Sequence, residues 1–273
     1  MRVPRLTKLT AAVAPGAVVV AMAAACVGPG AVTGGSAGPA PQATTSPEAG
    51  ALSRAGGETV TPDPRVGAVF LGDTATHTCS GSVLASTAGD LILTAAHCLA
   101  DGVDTTFVPG FGAGGGGTWH VGTVYLDRRW LAERDPQADY AIAQVSADSG
   151  VDVLAAAGGG LTLGSAPPAG SEVTVTGYPM GEGGSPSACR GVTDWSPQGF
   201  PSLACAGLTD GFSGAPWVTG SKVTGLVGGL DGGGCDDDVS YSPRFDARIA
   251  GLLARAEAGG RGDAAPATPG SDC

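Results

Sequence analysis

The chain has 273 residues, with 48 glycines, 20 prolines and only 14% charged side chains, against about a quarter in an ordinary globular protein. Its formal net charge of -11 repels a phosphate backbone, which excludes nucleic acid as a partner. None of its seven cysteines forms a Cys-x-x-Cys pair, so neither a zinc site nor any other metal or cofactor finds support.

Taken in chain order, residues 1–26 read as a signal peptide. Arg2, Arg5 and Lys8 give a positive start, and Ala11 to Ala25 form an apolar stretch that ends in small residues. Pro15 and Gly16 interrupt that stretch, which falls short of the roughly 20 residues a membrane span needs. The expected destination is outside the cell. Cys26 follows three alanines, the kind of small residues that precede a lipid-modified cysteine, so a lipid anchor at Cys26 on the cell surface is the alternative to plain secretion. Ala23 stands where such lipid signals usually carry Leu, which favours plain secretion.

Residues 27–58 are Ala, Gly, Pro, Ser and Thr with hardly any large apolar side chain, and are expected to be a disordered linker or a short pro-segment. Residues 259–273 have the same character and read as a flexible tail. Between them, residues 59–258 carry short apolar or alternating runs separated by Gly, Pro, Asp and Ser. Strands are predicted at 65–71, 78–84, 90–94, 118–125, 140–145, 172–177, 202–206, 215–219 and 222–230, a spacing that indicates an all-β sandwich or barrel. One helix is predicted, over 245–256, where Phe245, Ile249, Leu252, Leu253 and Ala256 fall on one face. The Ala- and Gly-rich stretch 154–170 divides two half-domains, at about 59–153 and 165–245.

Ser213 sits in Asp210-Gly211-Phe212-Ser213-Gly214-Ala215-Pro216. A serine hydroxyl needs a base to become a nucleophile, and the oxyanion formed on attack needs backbone N–H donors, which glycines beside the serine can supply. The base, if it is an imidazole, is one of His77, His97 and His120. His97 follows the apolar run Leu91-Ile92-Leu93 and precedes Cys98, whereas His77 and His120 read as ordinary surface or strand residues. Asp139 leads into the apolar strand Tyr140 to Val145 and is the candidate carboxylate that would orient the imidazole.

The segments Leu93-Thr94-Ala95-Ala96-His97-Cys98, Asp139-Tyr140-Ala141-Ile142 and Asp210 to Pro216 resemble, in the same order, the three signature segments of chymotrypsin-like (trypsin-like) serine peptidases, with the secreted actinobacterial members most similar. The resemblance covers roughly residues 60 to 255. It implies two six-stranded antiparallel barrels with a C-terminal helix, and a monomeric enzyme acting on protein or peptide substrates. His97 would be the base, Asp139 its orienting carboxylate and Ser213 the nucleophile. The N–H groups of Gly211 and Ser213 would form the oxyanion hole.

Two departures from the family pattern stand out. Phe212 replaces the family's Asp before the nucleophile, which removes the activation route in which a new N-terminal amine pairs with that Asp. Ala215 replaces a glycine and leaves the donors in place. Gly207 occupies the position where trypsin-type enzymes carry a specificity Asp, so no Lys or Arg preference follows, although Asp210 or the Asp236 to Asp238 cluster could supply negative charge. Gly228 and Gly229 would line the wall that receives the substrate backbone as an added strand.

The resemblance also implies a Cys79–Cys98 disulfide beside His97. Cys189 with Cys205 is the next pairing, leaving Cys235 for Cys273; the rival is Cys205 with Cys235. Arg261-Gly262-Asp263 matches a cell-adhesion tripeptide, which in so Gly-rich a tail is read as chance. An α/β-hydrolase is excluded, because it needs a histidine after the serine and none follows Ser213. The remaining alternative is a catalytically silent member acting as a cell-surface binding protein.

Overall fold

The computed structural model describes residues 55–112, 114, 117–181, 183–234 and 238–267. The expected signal segment and Cys26 lie outside them. Among the described residues, no helix is long and apolar enough to cross a membrane.

The first half is built from β3 (Val66–Leu71), β4 (His77–Val83), β5 (Leu91–Thr94), β6 (Thr105–Pro109), β7 (Trp119–Leu126) and β8 (Ala141–Ser146). These six close into a barrel in the order β3-β4-β5-β8-β7-β6. Every pairing in it is antiparallel. Val69, Val83, Leu91, Leu93, Phe107, Ile142 and Val145 fill it, each nearly or wholly excluded from water.

The second half contains β10 (Glu172–Gly177), β11 (Ser187–Trp195), β12 (Pro201–Ala206), β13 (Pro216–Thr219), β14 (Lys222–Leu226) and β15 (Val239–Tyr241). Three two-residue strands join them: β1 (Ala55–Gly56), β2 (Glu58–Thr59) and β9 (Thr162–Leu163). In place of a second closed barrel these form a nine-stranded sheet, with seven strands in the order β1-β12-β11-β10-β13-β14-β9, β15 paired with β12 and β2 paired with β11. The two ends of that order are two-residue strands paired in parallel, β1 on β12 and β9 on β14, and β15 pairs antiparallel with the rest of β12 beside β1. The same pairings place the last residues of the presumed linker and part of the 154–170 stretch inside the sheet.

The C-terminal helix α3 spans Ala247–Glu257, and the Asp246 side chain caps it by accepting from the N–H of Arg248. Ile249, Leu252 and Ala256 share the buried face that the apolar spacing predicts, but the helix packs on β7 and β8 of the first barrel rather than on the last strands. Two shorter helices were not anticipated: α1 (Arg128–Glu133), capped by Asp127, and α2 (Val153–Ala156). Six and four residues are too few to show a helical period.

Beyond α3 the chain does not leave the surface at once. Asp263 accepts from the N–H of Leu126 at 2.8 Å and pairs with Arg255, its own N–H donates to Val124 O at 2.8 Å, and Tyr125 donates to Gly260 O at 3.1 Å. Residues 260–266 form a strap over the first barrel, with Ala265 against the cluster of Leu99, Leu126 and Trp130. Composition alone hid this, because one ion pair and a few hydrogen bonds to backbone groups anchor an otherwise featureless run.

Disulfides join Cys79 to Cys98 and Cys189 to Cys205. The second bond rules out the rival Cys205–Cys235 pairing. Cys235 and Cys273 lie outside the described residues.

Candidate active site

His97 lies in a single 3-10 turn, Ala96–Cys98, directly after β5. The Cys79–Cys98 bond ties that turn to β4, and His97 is buried at 7% exposure. Asp139 ends a second 3-10 turn, Pro136–Ala138, just before β8, and is wholly buried. Antiparallel pairing of β5 with β8, Thr94 opposite Ala141, is what brings these two strand ends side by side.

The Asp139 carboxylate is met by three N–H groups. His97 Nδ1 is 2.7 Å from Oδ2, the backbone N–H of His97 donates to Oδ1 at 2.9 Å, and that of Gly229 donates to Oδ2 at 2.8 Å. Burial alone would raise the carboxyl pKa; the His97 charge and ring bond, with the two backbone donors, outweigh it and hold the pKa below the ordinary value. The turn is braced from behind by Tyr140, whose hydroxyl donates to Asp127 at 2.7 Å.

Ser213 comes from the second half, in a turn closed by Phe212 N–H to Thr209 O at 3.2 Å and Ala215 N–H to Phe212 O at 2.7 Å. Ser80 of β4 donates its backbone N–H to the Ser213 carbonyl at 2.7 Å, so the serine is held against the barrel that carries His97. Gly214 has φ 82°, and a Cβ there would lie 2.3 Å from Ser80 O and from Thr94 Oγ1; only glycine allows this approach. The amides of Gly211 and Ser213 donate to no backbone carbonyl among the described residues.

Phe212 is fully buried among Val173, Val175, Ala215 and Trp217. The turn that carries Ser213 is thus seated by an apolar ring.

The other expected site residues are placed as follows. Gly207 is exposed just past β12. Gly228 and Gly229 are buried behind Asp139, where a side chain at 228 would meet Oδ2 at 3.0 Å. Their contact with the carboxylate was not foreseen, since nothing in a Gly-Gly pair signals a donor. Asp210 is exposed, and Asp236 and Asp237 lie outside the described residues.

Of the surface and strand readings left open for His77, the strand one holds, since it opens β4. It is 1% exposed and packs edge-on against Phe70, Phe111 and Tyr178, and burial lowers its pKa. His120 is on β7, exposed, 3.8 Å from Asp104. Cys79, His97 and Cys98 cluster tightly enough to hold a metal, but the two sulfurs are bonded to each other and offer no thiolate.

A family model described as a trypsin-like peptidase domain matches residues 79–228. Among curated proteins no match is found. Of solved structures, the protease Anisep from Arthrobacter nicotinovorans is similar at TM-score 0.64 and 23% identity, over 74% of this chain and 99% of its own. A thermostable serine protease, AL20, from an extremophilic microorganism gives TM-score 0.62 and 23% identity, over 72% and 98%. The human heparin binding protein gives TM-score 0.54 and 18% identity, over 76% and 99%. At these identities the structures speak for the fold, and they match the expected chymotrypsin-like architecture.

Proposed function

Because the chain belongs to the trypsin-like peptidase domain family, we propose that it is a secreted serine endopeptidase with His97, Asp139 and Ser213 as its triad. The observation that carries this reading is the His97–Asp139 pair, buried and doubly bonded, with the Ser213 turn fastened to the same barrel.

In this reading the Ser213 hydroxyl attacks the scissile carbonyl while His97 takes its proton. Negative charge develops on the carbonyl oxygen, where the amides of Gly211 and Ser213 receive it. His97 then passes the proton to the leaving amine, and water hydrolyses the acyl-enzyme by the same route reversed. Asp139 stays ionised throughout and stabilises the imidazolium. Gly228 and Gly229 would line the wall for the substrate backbone, and Gly207 the base of the side-chain pocket. Two disulfides fit an oxidising compartment, which supports export.

A fluorophosphonate probe tests the proposal. Labelling at Ser213 that is lost in both Ser213→Ala and His97→Ala supports the peptidase; a folded wild-type protein that takes no label supports the silent binding module. One neighbour is named for binding heparin, a polyanion, yet the net charge of -11 here opposes such a ligand.

A further inference from the structure

Ser80 lies in the middle of β4 with none of its surface exposed. Its side-chain oxygen accepts from the N–H of Tyr178 at 2.9 Å and stands 2.8 Å from the carbonyl oxygen of Gly211. The directions are forced. An amide N–H can only donate and a carbonyl can only accept, so the single hydroxyl proton of Ser80 goes to Gly211. Its backbone carbonyl in turn accepts from the Thr94 hydroxyl at 2.8 Å, at the end of the strand that leads to His97.

One side chain of the first barrel therefore fastens two separate segments of the second half: the exit of β10 and the turn that carries Ser213. The Gly211 N–H is coplanar with the Asp210 carbonyl and not with the Gly211 carbonyl, so Ser80 acts on it from the neighbouring peptide plane and through Tyr178, at the start of the segment that reaches Met180. On one side of Gly211, the Asp210 carbonyl is held by the N–H of Met180 at 2.8 Å; on the other, the Gly211 carbonyl is held by Ser80. Gly211 has φ 93°, in a region where glycine resists rotation little, so its orientation depends on these outside holds.

We propose that Ser80 is a positioning residue for the oxyanion site, holding the peptide plane that follows Gly211 and the Tyr178 segment beside it so that the Gly211 amide keeps its aim. This rests on the reading of Ser213 as nucleophile. Ser80 touches no substrate, so its loss should be felt where oxyanion charge develops and not where the peptide first docks.

The test compares wild type, Ser80→Ala and Ser80→Thr on a peptide substrate and with two inhibitors. One is a peptide aldehyde, to whose carbonyl carbon the Ser213 hydroxyl adds, placing the hemiacetal oxygen in the oxyanion site. The other is the matching peptide acid, which binds without that bond. Loss of a direct oxyanion donor costs about 10²–10³ in kcat, so an indirect hold should cost about 10–100-fold. Ser80→Ala should lower kcat by that factor and weaken the aldehyde equally, with KM and peptide-acid affinity unchanged. Ser80→Thr, which keeps the hydroxyl, should recover most of the loss.

Wild-type kcat or aldehyde affinity in Ser80→Ala overturns the inference. So does an equal fall in aldehyde and peptide-acid binding, which would mark a general structural role. If the alanine variant does not fold, Ser80→Cys replaces it, since a thiol is a weak donor; unchanged aldehyde affinity there overturns the inference as well. A wild-type protein that neither cleaves peptide nor takes the phosphonate would instead bring down the underlying reading of Ser213.

Discussion

His97 and Asp139 are joined twice, ring Nδ1 to Oδ2 at 2.7 Å and backbone N–H to Oδ1 at 2.9 Å, so one carboxylate fixes both the imidazole and the turn that bears it. Asp139→Asn should therefore lower kcat by about 10⁴, as expected when a triad imidazole takes the wrong tautomer. The variant should also melt earlier, because an amide accepts through one oxygen where the carboxylate uses two. Steady-state kinetics and thermal melts check both; a tenfold loss or less would argue that Asp139 is only a structural acceptor.

Asp127 offers a separate pH test. Burial raises its pKa, but the Arg129 fork, the Arg129 N–H and the Tyr140 hydroxyl pull it down to about 2 from 3.8. A depressed carboxyl adds stability that is complete above its unfolded pKa and lost as pH falls through the folded one. Wild type should thus lose stability between pH 4 and 2 more steeply than Asp127→Asn. Parallel denaturant curves across that range would contradict the assignment.

Phe212→Ala should cost about 3–5 kcal/mol, the range for emptying a buried aromatic site. Because the ring anchors the turn that carries Ser213, the proposed nucleophile, the variant should also lose phosphonate labelling at temperatures well below its melting point. Urea unfolding and labelling rates measure the two effects.

Asp263→Ala removes the acceptor of Leu126 N–H and the partner of Arg255, and should cost about 1–3 kcal/mol in stability. The Arg261-Gly262-Asp263 carboxylate is already engaged in these bonds, so the folded protein should not compete with an adhesive peptide of that sequence. Competition equal to the free peptide would show that the strap detaches.

The first barrel was largely readable, because β5 and the first half of β8 are short apolar runs buried on both faces. β6 and β11 escaped notice. Thr105–Pro109 ends in a proline beside a glycine-rich turn, and Ser187–Trp195 alternates polar residues with Gly191 and Arg190, so neither shows an apolar period. The three candidate triad residues stood out through the order of their segments. What surrounds them did not: the Gly229 donor, the Ser80 hydroxyl and the burial of His77 depend on contacts between residues 90, 131 and more than 100 positions apart, or on rings from three different segments.

For the peptidase proposed above, the buried ring of Phe212 bears on what could govern its activity. A turn held by a salt link can wait, disarmed, until a cut elsewhere releases the matching charge. A turn seated by an oily side chain takes its working shape whenever the surrounding core condenses. In that reading the shape of the Ser213 turn comes with the folding of the core around Phe212 and asks for no later cut to set it.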